Sequence, residues 1–334
     1  MTLASRIWLH KMNDTRASFL KNAGWDQAEQ SLVTGDLSTR RYTRLSMHGS
    51  KAILMECDPE TEASLRAFVK MTRWLRDLGL SAPEILSLDA STGHALLEDF
   101  GDAKLTTLIT NDPSCQKRNY NTILDVLVTI RNAPAPALKT PDARELAEAT
   151  KLADEWYPGA RTSLLDEFRV GLETVLREIL NVPLTVSLRD FHADNIIWLD
   201  QRAPIQQPGL LDYQDAIITH PAYDLMSLIT DARTDVSVDL RHEMIRAYAA
   251  RAGGDPEALA QSVAVLGAQR NLRILGIFAR AARADAKTHQ LAALPRVYGY
   301  LMDCCEHSTL APFSVDLREA LPEPTPSLIR ELAS

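Results

Sequence analysis

The chain has 334 residues, of which 46% are hydrophobic and 24% charged, so it can bury the core of one large domain or of two coupled ones. Its formal net charge of -8 argues against a nucleic-acid partner, which needs clustered lysine and arginine to displace counterions from phosphates. The four cysteines lack the paired spacing of a zinc site, and no apolar run is long enough to span a bilayer. We therefore expect a cytoplasmic protein without a membrane partner.

The first hundred residues predict a small antiparallel sheet with one helix packed on it. A short helix is expected at residues 16–22, and Gly35 and His48-Gly49-Ser50 lie where hairpin turns would join successive strands. Asp58-Pro59 favours a helix start and Gly79 its end, because acidic residues suit the positive end of the helix dipole. The predicted strands are Gln30–Thr34, Arg41–Met47, Lys51–Glu56, Glu84–Leu88 and His94–Glu98, and the predicted helix ends at Leu78.

Beyond residue 100 the periodicity becomes mainly helical. The exception is a β-rich island from Leu184 to Tyr213, while residues 131–138, rich in alanine and proline, predict an exposed linker. The predicted helices are Tyr120–Asn132, Asp142–Tyr157, Ser163–Asn181, Leu240–Ala252, Glu257–Ala286 and Leu294–His307. We therefore predict an α+β fold, with residues 1–100 forming a mixed domain and residues 101–334 a mainly helical one.

Polar residues cluster at one end of the apolar strands in this island. Asp190 lies in a loop, Asn195 begins the next predicted strand, and Asp212 lies near the end of the strand after that. A hairpin centred near residue 204 would bring Asn195 and Asp212 to the same edge. Carboxylate and carboxamide oxygens suit Mg²⁺, and a second carboxylate can hold a substrate hydroxyl. This is the division of labour that phosphoryl transfer requires.

These residues carry a family resemblance. Asp190-x4-Asn195, followed by an apolar strand and Leu-Leu-Asp212, resembles the catalytic loop and magnesium aspartate of the aminoglycoside phosphotransferase and choline kinase family, which shares the protein kinase fold. Longer motifs are similar to the branch containing the bacterial anomeric kinases for N-acetylmuramate and N-acetylglucosamine, used in cell-wall recycling. Those motifs are Ser38-x-Arg40-Arg41-Tyr42-x-Arg44, Leu97-Glu98-Asp99-Phe100-Gly101, Tyr223-Asp224-Leu225 and the run from Gln269 to Arg280.

The resemblance implies a bilobal fold with ATP bound between the lobes and a γ-phosphoryl group transferred to a small molecule's hydroxyl, with an amino sugar as the leading acceptor. It implies that Asp190 is the catalytic base and that Asn195 and Asp212 hold Mg²⁺. Asp224 would support them. Glu98 to Phe100 would lie at the hinge that presents backbone groups to the adenine.

The chain departs from the family pattern at the phosphate-binding lysine. Met55 stands where the third strand would present it, although Glu62 stands where its usual partner would. Because guanidinium binds phosphate bidentately, our hypothesis is that Arg40, Arg41 or Arg44 neutralises the phosphates.

The loop before these arginines, residues 35–40, is a second departure. It has a single glycine, Gly35. Phosphate contact there would therefore depend on turn amides and on the hydroxyls of Ser38 and Thr39, which we predict to be nucleotide-binding residues.

The acceptor residues are less sharply defined. Asp154 and Trp156 belong to an acidic and aromatic segment that would suit a sugar face, but the same segment could be a helix end packing into the core. His192 is either a substrate-facing or a loop-packing residue. For Arg270 and Arg273, at helical spacing with Arg280, ion pairs between helices are the favoured reading and substrate binding the minority one.

Three alternatives to an amino-sugar kinase stay open at this point. The acceptor could be an aminoglycoside or a choline-type alcohol. The missing lysine motivates a nucleotide-binding pseudokinase with a regulatory role, against which Asp190, Asn195 and Asp212 argue. A metal-dependent hydrolase using His192 is a remote third possibility. No oligomeric state is predicted.

Overall fold

The computed structural model describes residues 15–33, 40–57 and 62–334, apart from the side chains of Glu62 and Ala63. These residues form two compact units. The first comprises the described residues up to Ala103 together with Ile197–Asp215, and the second comprises Lys104–Ile196 and Ala216–Ser334. The first unit is therefore discontinuous in sequence, whereas the sequence prediction set a single boundary at residue 100.

The first unit is built on a five-stranded antiparallel sheet with the strand order β1-β2-β3-β5-β4. Its elements are α1 (residues 15–22), β1 (Glu29–Val33), β2 (Arg41–Met47), β3 (Ser50–Glu56), α2 (Glu62–Asp77), β4 (Ile85–Asp89) and β5 (His94–Glu98). His48 and Gly49 both have positive φ, 50° and 82°, in the two-residue turn between β2 and β3. This is the geometry that a tight antiparallel hairpin requires.

Alternation along the strands places one apolar cluster on one face of the sheet. Leu45, Ala52, Leu54 and Leu96 are almost fully buried and cluster with Phe19 and Leu20 of α1. Because strand side chains alternate between faces, the intervening residues Tyr42 and Met55 lie on the opposite face. This is the face on which the family would present its lysine.

The returning segment Ile197–Asp215 is fixed to the first unit by backbone contacts. β7 (Ile196–Trp198) pairs with β8 (Pro208–Leu210), and the Leu210 amide donates to the Ser81 carbonyl at 2.8 Å. A Cβ on Gly209 would lie 2.8 Å from the Phe100 ring, so only glycine permits this approach. The hairpin predicted around residue 204 is therefore formed.

The second unit is mainly helical, with one small antiparallel pair, β6 (Thr185–Ser187) and β9 (Ile217–Thr219). Its helices are α3 (Leu105–Asn111), α4 (Cys115–Asn132), α5 (Ala143–Glu148), α6 (Leu152–Trp156), α7 (Thr162–Ile179), α8 (Tyr223–Ile229), α9 (Val238–Ala252), α10 (Pro256–Asp285), α11 (Leu294–Cys305), α12 (Leu317–Ala320) and α13 (Pro326–Ala333). Short 3₁₀ turns occur at Ala149–Lys151, Ala193–Asn195, Pro204–Gln206, His289–Ala293 and Ala311–Phe313 across the two units.

Helix α10 is the centre of the second unit, where it contacts α6, α8, α9 and α11. Its start follows from its sequence, because the Asp255 carboxylate caps the amides of Glu257 and Ala258 at 3.2 Å and Pro256 occupies the first helical position. A Cβ on Gly276 would lie 2.3 Å from the backbone of Leu152, so this glycine lets α6 approach closely. Helix α8 (Tyr223–Ile229), whose first turn contains Asp224, is among the elements packed against α10.

The predicted α+β organisation, a small antiparallel sheet and a mainly helical remainder, is confirmed. The predicted helix Asp142–Tyr157 is wrong as one element, because a 3₁₀ turn at Ala149–Lys151 separates α5 from α6. The short elements α3, α8 and β9 were not predicted, since they span only a few residues each. Among the described residues, no helix combines the length and the apolar content that crossing a membrane requires.

Candidate active site

The candidate catalytic loop, residues 187–195, is held at its start by one buried carboxylate. Asp224, in the first turn of α8, accepts hydrogen bonds from Ser187 Oγ at 2.6 Å, from the Leu188 amide at 2.7 Å and from the Arg189 amide at 3.0 Å. Arg189 has a φ of 74°, a conformation that a residue with a side chain rarely adopts. Asp224 therefore fixes the unusual backbone turn that presents Asp190.

A second buried carboxylate holds the same loop further along. Asp231, just beyond α8, accepts hydrogen bonds from the Ala193 amide at 3.1 Å and from the Arg233 amide at 2.9 Å. Burial raises the pKa of Asp231 and raises that of Asp224 to about 6, while the amide donors and nearby Arg270 oppose this rise. The two buried carboxylates therefore fix the loop backbone through hydrogen bonds to its amides.

Asn195 is oriented by the loop itself. Its Nδ2 donates to the Asp190 carbonyl at 2.9 Å and lies 3.3 Å from His192 Nε2. Arg233 Nη1 also lies 3.3 Å from that nitrogen, and because arginine can only donate, Nε2 is an acceptor and the imidazole is neutral. Burial lowers the pKa of His192 well below its usual value, which agrees with this form. The amide nitrogen of Asn195 is thus engaged within the loop, while its Oδ1 accepts no hydrogen bond from the described residues.

Asp212 belongs to the first unit and is presented differently. It lies two residues beyond β8 with a φ of 57°, its side chain is exposed, and Gln214 Nε2 donates to its Oδ1 at 2.8 Å. The neighbouring Tyr213 is fully buried, stacks on Phe68 with ring centroids 5.4 Å apart, and shares a 2.7 Å hydrogen bond with Thr72. Burial of Tyr213 fixes the backbone that leaves Asp212 exposed.

The place of the missing lysine is filled by an apolar side chain. Met55 is fully buried, opposite Tyr42 in the sheet. Of the three candidate arginines, Arg44 already has carboxylate partners. It pairs with Asp99 at 2.7 Å and with both oxygens of Asp102 at 2.9 Å. Those hydrogen bonds raise the pKa of Arg44 and lower that of Asp102.

Arg40 and Arg41 differ in their surroundings. Arg41 is exposed, whereas Arg40 is half-buried, donates to Ser64 Oγ at 2.5 Å and interacts electrostatically with Asp212. Burial opposes the charge of Arg40, but Tyr42 and Asp212 nevertheless raise its pKa above the usual value. Arg40 is therefore the candidate arginine that the structure brings to Asp212.

The predicted hinge residues have well-defined partners within the first unit. Arg202 pairs with Glu98, donates to Ser81 Oγ at 2.8 Å and lies over the Phe100 ring at 5.0 Å. Arg202 was missed in the sequence because it lies about a hundred residues from its partners. These contacts fix the side chains of Glu98 and Phe100. Binding of adenine by the backbone of residues 98–100 stays a prediction.

Two of the acceptor residues proposed from sequence, Asp154 and His192, have hydrogen-bond partners within the protein. Both oxygens of Asp154 accept from Arg169 Nη2, at 2.7 and 2.9 Å, in a buried ion pair that also reaches Thr150. Trp156 is half-buried at the end of α6, and His192 is 6% exposed. These contacts give Asp154 and His192 structural roles, while their contact with an acceptor stays a prediction.

Some predicted residues fall outside what can be described. Ser38 and Thr39 lie outside the described residues, as does the side chain of Glu62. In the described ranges, no three His, Cys, Asp or Glu side chains gather as metal ligands. The hydrolase alternative needed His192 as a ligand, but its Nε2 faces two N–H donors instead.

Comparison with known proteins agrees with this geometry. Residues 29–261 match the family model described as the phosphotransferase enzyme family. A protein of Caulobacter vibrioides named N-acetylmuramate/N-acetylglucosamine kinase is 32% identical, with 93% of this chain and 96% of that protein covered. A Pseudomonas aeruginosa protein of the same name is 28% identical over 83% of this chain and 85% of its own length.

Solved structures show the same fold at low identity. A choline/ethanolamine kinase family protein from Mesorhizobium loti superposes with a TM-score of 0.63 at 16% identity, covering 92% of this chain and 99% of that one. An aminoglycoside 2′-phosphotransferase in complex with GDP gives a TM-score of 0.63 at 13% identity, covering 85% and 97%. Both likenesses concern the fold.

The fold, the catalytic loop and the relatives together define a small-molecule kinase that acts on a hydroxyl group with ATP as co-substrate. The chain belongs to the phosphotransferase enzyme family. The resemblance drawn from Asp190-x4-Asn195 and Asp212, and the prediction of a phosphotransferase, are thereby confirmed.

Proposed function

We propose that this kinase phosphorylates an amino sugar, N-acetylmuramate or N-acetylglucosamine, in the cytoplasm. The observation that carries the proposal is the catalytic loop, whose backbone around Asp190 is fixed by Asp224 and Asp231. The shared name of relatives that cover most of the chain supports this acceptor class. In this proposal residues 1–100 bind the nucleotide, and residues 101–334 carry the loop and the acceptor site.

Asp190 is assigned as the base. It is half-buried, directly follows the left-handed residue Arg189, and its carbonyl is held by Asn195 Nδ2. A carboxylate in a fixed backbone can orient an acceptor hydroxyl and take its proton as the new phosphate ester bond forms. The proton moves from the hydroxyl oxygen to a carboxylate oxygen of Asp190, and ADP leaves with the electrons of the broken bond.

Asn195 and Asp212 are assigned as the ligands of Mg²⁺. The donor set fits this ion, because the Asn195 amide nitrogen is occupied within the loop, which leaves its oxygen as the donor atom, and the Asp212 carboxylate is exposed. Both groups offer hard oxygen atoms, the ligand type that this ion would take. When bound, Mg²⁺ neutralises phosphate charge.

Arg40 is assigned to the nucleotide phosphates in place of the missing lysine. Arg40 interacts electrostatically with Asp212 and donates a hydrogen bond to Ser64. These contacts support Arg40 over Arg41, which is exposed, and over Arg44, which is already paired with two carboxylates. The guanidinium fork can replace an ammonium as a phosphate donor. Ser38 and Thr39 would add hydroxyl donors, and the backbone of Glu98 to Phe100 would contact the adenine.

The test is coupled ADP release by the purified chain with ATP and Mg²⁺ across N-acetylmuramate, N-acetylglucosamine, hexoses, choline and aminoglycosides. We expect turnover with an acetylated amino sugar that is lost in Asp190→Asn. Turnover only with choline or an aminoglycoside would refute the acceptor class. ATP binding without turnover on any acceptor would favour the pseudokinase alternative, which the buried Met55 motivates.

A further inference from the structure

Two arginines on one face of α10 stand out because they lack partners. Arg270 and Arg273 are one helical turn apart, and Arg270 is only 5% exposed. Within the described residues, neither guanidinium forms a hydrogen bond or an ion pair. None of their nitrogen atoms is among the sealed, unpartnered buried atoms, so each retains some access to open space.

Two other arginines among the described residues, the buried Arg169 and the half-buried Arg44, have carboxylate partners. Arg169 is held by Asp154 and Thr150, and Arg44 by Asp99 and Asp102. A buried guanidinium without acceptors is unfavourable, because desolvation of the charge is not compensated by hydrogen bonds. The favoured sequence reading of Arg270 and Arg273 as ion-pair residues is therefore not supported by their contacts.

The position of the two arginines relates them to the catalytic loop. Arg273 interacts electrostatically with Asp190 and with two like charges, Arg189 and Arg270. Burial and these neighbouring cations lower the pKa of Arg273. Asp224 and Asp231 offset Arg270 at longer range, but their oxygens are occupied by amide donors of the loop. The hydrogen bonds of Asp224 and Asp231 are thus made to the loop and not to either guanidinium.

We infer that Arg273, assisted by Arg270, binds a carboxylate of the acceptor whose hydroxyl Asp190 activates. This inference rests on the proposed function, and it ranks the two sugars named there. N-acetylmuramate is N-acetylglucosamine with an added lactyl ether that ends in a carboxylate, whereas N-acetylglucosamine is neutral. Guanidinium groups bind carboxylates through paired, charge-assisted hydrogen bonds, so the site selects the acidic sugar.

The same positive charge could instead serve the transferred phosphoryl group. The two anion sources differ in their consequence, because the phosphoryl group is common to both sugars and the carboxylate is not. Comparing the activity of one variant on the two sugars therefore distinguishes carboxylate binding from phosphoryl binding. Arg280 is a matched control, because its substitution removes the same charge at an exposed position of the same helix.

The experiment measures kcat/KM for both sugars, with saturating ATP, in the full chain and in Arg273→Gln, Arg273→Lys and Arg280→Gln. For Arg273→Gln we expect kcat/KM for N-acetylmuramate to fall about 10- to 100-fold, mainly through KM, with less than about a two-fold change for N-acetylglucosamine. The lysine variant should retain part of the preference, and Arg280→Gln all of it. An equal loss on both sugars, or no loss on either, overturns the inference.

A substrate variant tests the idea without relying on the folding of a mutant. The methyl ester of N-acetylmuramate keeps the shape of the sugar and removes its charge, so the unaltered enzyme should use it about as poorly as Arg273→Gln uses the acid. An ester used as well as the acid would overturn the carboxylate site. If the unaltered enzyme phosphorylates neither sugar, the proposed function fails; if it phosphorylates both and Arg273→Gln keeps their ratio, only this inference fails.

Discussion

The two segments assigned to the chemistry are held in opposite ways. In the second unit, the loop around Asp190 is fixed from beneath by Asp224 and Asp231, which are 4% and 1% exposed. In the first unit, the Asp212 carboxylate is exposed, and its backbone is fixed by the burial of its neighbour Tyr213. Charged hydrogen bonds thus position the proposed base, whereas apolar packing positions the proposed metal ligand. Substitutions should separate these two modes of support.

The largest effect is expected at the base itself. Asp190→Asn should lower kcat by about 10³-fold or more, since a general base contributes roughly 10² to 10⁴ and the carboxylate also orients the hydroxyl. The loop bonds run through the Asp190 backbone, so the melting temperature should stay within about 2 °C. Steady-state kinetics and thermal melting check both parts. A variant with more than a tenth of the activity would remove Asp190 from the role of base.

The buried carboxylate beneath the loop should be visible in the pH dependence of stability. The pKa of Asp224 is raised from 3.8 to about 6 in the folded chain, so between these values the folded chain binds more proton than the unfolded one. Its contribution to stability is therefore fully present below about pH 4 and is lost as pH rises to about 6. Relative to Asp224→Asn, the wild type should lose about 3 kcal/mol of unfolding free energy across that window.

Denaturant unfolding of both proteins from pH 4 to pH 8 measures this difference. The subtraction removes the many surface carboxylates that titrate identically in the two chains. A difference that is flat with pH, or that grows as pH rises, would contradict the raised pKa and with it the burial of the ionised group.

At neutral pH, the same substitution should also loosen the loop. An asparagine in place of Asp224 cannot accept all three hydrogen bonds, and its amide nitrogen would face N–H donors. We expect kcat to fall about 10- to 100-fold, with little change in KM for ATP. Asp239→Asn, an exposed carboxylate in the first turn of α9, is the matched control. A larger change in KM for ATP than in kcat would place the effect elsewhere.

In the first unit, Arg40 tests the replacement of the missing lysine. Arg40→Ala should raise KM for ATP about 10-fold, the loss of one charge-assisted contact, and Arg40→Lys should restore part of it. Arg73→Ala, at an exposed arginine on α2, should leave KM unchanged. If Arg41→Ala raises KM for ATP and Arg40→Ala does not, the assignment between the two arginines is reversed.

The parts of the candidate site that could be predicted from the sequence depend on residues close together in the chain. Asp190 and Asn195 lie five residues apart, and the His48-Gly49 turn follows from residues that tolerate positive φ. Asp231 gave no such signal, and the spacing of Arg273 favoured an ion pair, because the relation of both residues to the loop arises only in the folded chain. The sequence left Asp154 open between a sugar contact and a structural role, and its bonds to Arg169, a residue 15 positions away, could not be read from the local pattern.

The smallest expected effect tests the apolar support of Asp212. Tyr213→Phe removes the 2.7 Å hydrogen bond to Thr72, but the Thr72 hydroxyl keeps its 2.8 Å bond to the Phe68 carbonyl and the aromatic stack remains. No buried group is then left without a hydrogen bond. The free energy of unfolding should therefore fall by only about 1 kcal/mol, and kcat should be nearly unchanged. Tyr213→Ala, which removes the ring, should instead destabilise by about 3 to 5 kcal/mol and lower kcat through Asp212. If Tyr213→Phe lowered kcat as strongly as Asp224→Asn, the metal ligand would depend on hydrogen bonding like the base, and the contrast between the two segments would not hold.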